Sequence, residues 1–261
     1  LNVEGLSKSI DGEVLFNDIH INLAKGDKVV VLSKDSRAPT YFYEILFGNE
    51  KADSGKFHWG VTTSQSYLPL ENSSYFENDL SLVDWLRQWA TTDEEREEVY
   101  IRGFLGKMIF SGEEALKKCN VLSGGEKVRC MLSRMMMMRA NVLLIDEPTN
   151  HLDIESILWL EEFLKNYTGA LVIVSHDKMF LDTITNRTIE ISLGKIYDYK
   201  KSYSEYLVLR QELREQQLAT QKNQQKQIEH TEKLIEKFRA KATKATMAQS
   251  LIKKLDKIDR I

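Results

Sequence analysis

Two adjacent carboxylates, Asp146 and Glu147, end the apolar run Val142–Ile145 within "NVLLIDEPTNHLD" (Asn141–Asp153). A run of that kind delivers its last side chains to the C-terminal edge of a parallel sheet, where ligands of open α/β folds bind. One carboxylate suits a magnesium ion, and its neighbour can orient an attacking water. Some way upstream, "LSGGEK" (Leu122–Lys127) places a serine and two glycines at the start of an expected helix. Bare backbone N–H groups, the Ser123 hydroxyl and the positive end of the helix dipole together make an anion site. A further apolar run, "ALVIVS" (170–175), leads to His176, a polar residue placed for contact with a terminal phosphate. Singly, a Ser-Gly-Gly turn is a common helix cap and a lone histidine is more often structural. In this order, the three point to nucleotide chemistry.

The runs "KVVVL" (28–32), "NVLLID" (141–146) and "ALVIVS" are apolar throughout rather than alternating. That is the pattern of strands covered on both faces. Helical patterns follow each: "TYFYEILF", "IESILWLEEFLKNY" and "DKMFLDTI". An α/β doubly wound core is the direct reading. Between roughly 78 and 139 the character turns helical, with "LSLVDWLRQW" and "DEEREEVYIRGFLGKMIF" as amphipathic stretches, so an inserted helical subdomain is expected. The run "MLSRMMMM" (131–138) reads as a core-facing helix.

From Tyr203 to Ile261 there is neither glycine nor proline, and strong helix formers dominate. Leu234, Ile235 and Phe238, then Leu251, Ile252, Leu255 and Ile258, follow three-and-four spacing. Two helices meeting near 241–246 as an antiparallel hairpin are expected; one long exposed helix is the alternative. This segment carries 13 Lys and Arg against 8 Asp and Glu in a chain whose net charge is −3. Cys119 and Cys130 offer no disulfide framework or metal spacing, which fits a reducing compartment. No apolar run has the length of a membrane span. A cytoplasmic, membrane-free protein is the expectation.

These stretches resemble the ATP-binding cassette (ABC) family. The wording "LSGGEK" with "DEPTNHLD" is similar to its ABC-F branch, whose members lack membrane domains and mostly act on ribosomes. The resemblance covers nearly the whole chain and implies a P-loop NTPase-like cassette over 1–202 with a mostly parallel sheet. It also implies a C-terminal α-helical arm over 203–261, similar to the ABC-F linker between two cassettes. The implied cofactors are ATP and Mg2+. By the same resemblance, Ser123, Gly124, Gly125 and Glu126 form the signature, which contacts nucleotide in trans. Asp146 closes the Walker B motif as a metal ligand, Glu147 is the catalytic base, Asn150 to Asp153 form the D-loop, and His176 is the switch histidine.

The phosphate loop departs from the family. "VVVLSKDSRAPTYFYEILFG" (Val29–Gly48) has the expected strand, turn and helix, but GxxxxGK[ST] is replaced by SKDSRAPT. Ser33, Ser36 and Ala38 stand where the family has glycines, and Pro39 replaces the lysine. Only Thr40 keeps the hydroxyl that touches magnesium, and Arg37 supplies one positive charge. Losing glycine makes positive φ costly, and Pro39 removes both a cation and a backbone donor. Ile10 takes the place of the aromatic that stacks on adenine, and Leu70 falls near the Q-loop glutamine.

Cassettes of this family pair head to tail, so a chain with a failed loop and a sound signature can complete its partner's site. The partner is then a second cassette, as a homodimer or as a missing tandem half. Residues 1–140 are more similar to the second cassette of a tandem protein, and residues from Ile154 to the first cassette and its linker. The alternatives are a non-catalytic interaction module with this fold and a transporter's ATPase subunit. In the arm, Lys241, Lys244, Lys253 and Lys254 are the candidates for contact with ribosomal RNA or tRNA.

Overall fold

The computed structural model describes residues 1–239 and 245–255. They divide into two compact units, the first 1–204 and the second beginning at 205. The first opens with a hairpin, β1 (Asn2–Ile10) and β2 (Glu13–Asn22), then β3 (Lys28–Ser33) and α1 (Arg37–Phe47). After β4 (Ser54–His58) and β5 (Gln65–Leu68) come α2 (Leu82–Arg87), α3 (Asp93–Arg96), α4 (Glu98–Lys107) and α5 (Gly124–Met137). The unit closes with β6 (Val142–Asp146), α6 (Ile154–Asn166), β7 (Ala170–Val174), α7 (Lys178–Ile184), β8 (Arg187–Ser192) and β9 (Lys195–Tyr199).

Six strands make the central sheet in the order β5-β6-β7-β3-β8-β9, parallel except for β9 at its edge. A separate antiparallel sheet has the order β2-β1-β4. The continuous apolar runs follow from burial on two sides. Val30, Leu143, Ile145, Leu171 and Ile173 enter the core beneath the helices. Their neighbours Val29, Val31, Leu144 and Val172 enter the core shared with α1 and the small sheet. Successive side chains on a strand point to opposite faces, so both faces demand apolar residues.

The helical stretch expected over 78–139 is present as α2 to α5, but "DEEREEVYIRGFLGKMIF" is not one helix. Glu97 adopts an extended conformation (φ −62°, ψ 136°) and separates α3 from α4. The Thr92 hydroxyl caps α3 by accepting from the Glu95 amide at 3.2 Å. The methionine run is in the core as expected: Met131, Met135, Met136 and Met137 are all buried.

The second unit contains most of α8 (Tyr203–Arg239) and all of α9 (Ala245–Leu255). On α8, Ile228 and Ile235 are buried along one helical face while most of their neighbours are exposed. The junction expected near 241–246 lies mainly outside the described residues, and α9 is already helical from Ala245. Among the described residues, no helix is long and apolar enough to cross a membrane.

Candidate nucleotide site

The turn after β3 is short, and three of its backbone donors are spent within the turn. The Asp35 amide donates to Ser33 Oγ at 3.2 Å, and the Arg37 amide donates to Asp35 Oδ1 at 3.0 Å. The Ala38 amide donates to the Asp35 carbonyl at 3.2 Å. Pro39 has no N–H, and both Ala38 and Pro39 are buried in the first turn of α1. Ser36 occupies the cap position in helical conformation, with no side-chain cap bond. A phosphate cradle needs amides that converge on open space. Here three amides already have acceptors inside the chain.

Arg37 is likewise engaged. Its Nε and Nη2 donate to the two Asp35 carboxylate oxygens at 3.1 and 2.8 Å, and Nη2 also donates to Glu13 Oε2 at 2.6 Å. Those contacts, the Asp35 hydrogen bond first, hold the Asp35 carboxyl below the usual carboxylate range and raise the guanidinium further. The positive charge expected at this loop is therefore matched by two carboxylates. Glu13 begins β2, so the contact ties the loop to the hairpin in which Ile10 ends β1.

Thr40 and Asp146 meet directly, the Thr40 hydroxyl donating to Asp146 Oδ2 at 2.8 Å. Burial pushes the Asp146 carboxyl up to about 6; Thr40 opposes the rise, and the nearby Glu147 and Glu44 charges add to it. These two oxygens are a fitting pair of magnesium ligands. Beside them stand Ala38 and Pro39, both buried and neither offering a side-chain donor.

Glu147 follows in the left-handed region (φ 49°), with its amide donating to the Val174 carbonyl at 2.9 Å. Its carboxylate is buried, which raises its proton affinity against the opposing pull of His176. Glu147 Oε2 accepts from the His176 amide at 3.2 Å, and Oε1 lies 3.2 Å from His176 Nε2. The His176 ring is otherwise open to solvent, its side chain 90% exposed. The structure thus brings Thr40, Asp146, Glu147 and His176 to one edge of the sheet.

Ser123 caps α5 in a reciprocal box: its hydroxyl accepts from the Glu126 amide at 3.4 Å, and the Ser123 amide donates to Glu126 Oε2 at 2.9 Å. Lys117 Nζ holds the other Glu126 oxygen at 2.9 Å. Burial raises the Glu126 carboxyl, but the Ser123 and Lys117 contacts outweigh it and bring it down to about 2. The first amides of a helix have no intrahelical acceptor, so those of Gly124 and Gly125 remain for an external anion. A cleft of about 150 Å³ runs from Gly124 and Lys127 past Leu70 and Asn150 to Asp146 and Glu147. Asp153 closes the loop by capping α6, accepting from the Ser156 amide at 2.7 Å. Sequence reasoning missed three participants: Asp35 and Glu13, whose roles appear only in three dimensions, and Lys117.

A doubly wound sheet with paired carboxylates at its C-terminal edge and a glycine-rich helix start defines a nucleotide-binding cassette. The chain belongs to the ABC transporter family: that family matches residues 12–150, and a second match with the same description covers 189–261. It is 52% identical over 208 residues to an uncharacterized ABC transporter ATP-binding protein of Bacillus subtilis, YkpA, covering 79% of this chain and 38% of that protein. It is 29% identical to ABC transporter F family member 2 of Arabidopsis thaliana, covering 99% of this chain and 44% of that protein. The chain spans about two fifths of the length of these curated relatives. A solved ATP-binding cassette dimer, in a post-hydrolysis state with ADP and Pi, superposes with a TM-score of 0.64 at 17% identity. That overlap covers 76% of this chain and 97% of the other.

Proposed function

We propose that this is an ABC-F-type cassette whose signature face completes the nucleotide site of a second cassette, while its own phosphate loop binds no nucleotide. The observation that carries the reading is the contrast between two helix starts in one chain. At α1, the Asp35, Arg37 and Ala38 amides are bound internally and Pro39 has none. At α5, the capping box engages the Ser123 and Glu126 amides, while those of Gly124 and Gly125, in the first turn, have no intrahelical acceptor. Ser123, Gly124 and Gly125 bind the terminal phosphate of ATP held by the partner's loop, and Glu126 keeps the turn in shape. ATP and its Mg2+ supply the phosphoryl chemistry in that composite site. Asp146, Glu147 and His176 hold a metal-ligand, base and sensor arrangement that acts only beside a competent loop.

Mixing the chain with a cassette that has an intact phosphate loop tests this. ATP hydrolysis per competent cassette rises on titration with this chain and falls back to the starting rate with Ser123→Arg. A rate indifferent to both additions sinks the proposal and leaves the non-catalytic module. The ABC-F assignment draws support from the Arabidopsis relative's name, and a role at the ribosome from the arm's excess of Lys and Arg. Copurification with a membrane protein would instead favour a transporter subunit.

A further inference from the structure

Gly125 has a reason to be glycine that lies inside this chain. A Cβ placed there would stand 2.4 Å from the His151 carbonyl oxygen, which is backbone and cannot swing aside. At Gly124 the same atom would meet the His151 ring at 3.6 Å, an ordinary contact. The first turn of α5 therefore rests on the main chain of the 147–153 loop. That approach uses a left-handed backbone at His151 (φ 67°), a region that asparagine tolerates and β-branched residues resist. Both ends of the loop are fixed: the Glu147 amide bonds to Val174 on β7, and Asp153 caps α6.

We propose that His151 is a positioning residue whose main-chain carbonyl, held by its left-handed conformation, seats Gly125 and sets the signature turn relative to Asp146 and Glu147. The backbone conformation at 151 matters, and the imidazole does not. Gly125 then answers to the chain's own packing as well as to the incoming phosphate, and Gly124 to the phosphate alone.

Amide hydrogen exchange of the full chain, without nucleotide, reads the seat directly. His151→Asn leaves exchange at Lys127 and Val128 within about twofold of the parent. His151→Val speeds it about tenfold with β6 and β7 as protected as before, and Gly125→Ala does the same. Should His151→Val unfold the sheet, His151→Ala replaces it with an expected threefold change. Equal exchange in parent, His151→Val and Gly125→Ala overturns the proposal, as does a loss in His151→Asn equal to that in His151→Val.

A second readout rests on the function proposed above. With the competent cassette present, His151→Val raises the half-saturating concentration of this chain about tenfold without lowering the plateau rate, and His151→Asn restores it. A lower plateau at unchanged half-saturation would put His151 in the chemistry and overturn positioning. If the parent chain itself gives no stimulation, the proposed function falls and the exchange data alone decide about His151.

Discussion

Asp35 and Glu126 are both carboxylates near the first turn of a helix, and they leave those helices in opposite states. Asp35 accepts from the Arg37 amide and guanidinium, so an internal anion takes the donors that a phosphate would need. Removing it deletes a cap-like contact; Asp35→Ala is expected to cost about 1 kcal/mol, a fall in Tm of roughly 2–4 °C by calorimetry. Glu126 faces back into its own turn and is 18% exposed. Its folded-state carboxyl near 2, against an ordinary 4.5, contributes stability that is complete above about pH 4.5 and lost as pH falls towards 2. The shift corresponds to about 3–4 kcal/mol at most. Glu126→Gln should therefore lower Tm at pH 6 and flatten its decline between pH 5 and 3; parallel pH profiles would refute the assignment. Asp146, Glu147 and His176 were legible in the sequence because each ends or follows a buried run. The closure of the loop was not, since it depends on Glu13, distant along the chain, and on which oxygen each amide finds.

Helix α5 shows how one element ties the site to the core. Its start carries the signature residues, and about three turns on it buries Arg134, whose guanidinium lies 5.0 Å from the Tyr75 ring and 4.9 Å from the Trp89 ring. Arg134 Nε has no hydrogen-bond partner, and burial lowers the proton affinity of the group. A buried cation with an unfilled donor is held by packing and ring contact as much as by charge. Arg134→Met, of similar length and without the unpaired donor, should lie within about 1 kcal/mol of the parent in urea unfolding. Arg134→Ala, which leaves a cavity between two rings, should cost about 2–4 kcal/mol. If methionine proves as damaging as alanine, the charge is the part that matters. The strands β3, β6 and β7 were readable because burial on both faces leaves no polar alternation to confuse. The small sheet was not drawn from the sequence. Its β1–β2 pairing shifts register between Val3 and Leu6 and again before Lys8, and Gly5 sits at φ 64°, so no clean period survives.

At the scale of the molecule, the stretches before and after the 141–153 segment close one sheet. β3 pairs in parallel with β7 and β8, and side chains from before and after the 141–153 segment share both cores. Neither stretch has a core of its own, so the first unit should unfold in one cooperative step. The second unit has a different character: α8 is long, mostly exposed and rich in glutamine, and Lys253 on α9 is exposed. Lys241 and Lys244 lie outside the described residues, as does the side chain of Lys254. Their proposed role therefore stands on sequence, and it has a thermodynamic signature. Each phosphate neutralised by a lysine releases condensed counterions, so four contacts give log K against log salt a slope near −3 to −4. Between 50 and 300 mM salt, affinity for ribosomes or structured RNA should then fall by a few hundredfold. Reversing Lys241, Lys244, Lys253 and Lys254 to glutamate should weaken binding at low salt and remove most of that slope. An affinity equal at both salt concentrations, or indifferent to the reversal, would show that the arm holds its partner by apolar or protein contacts instead.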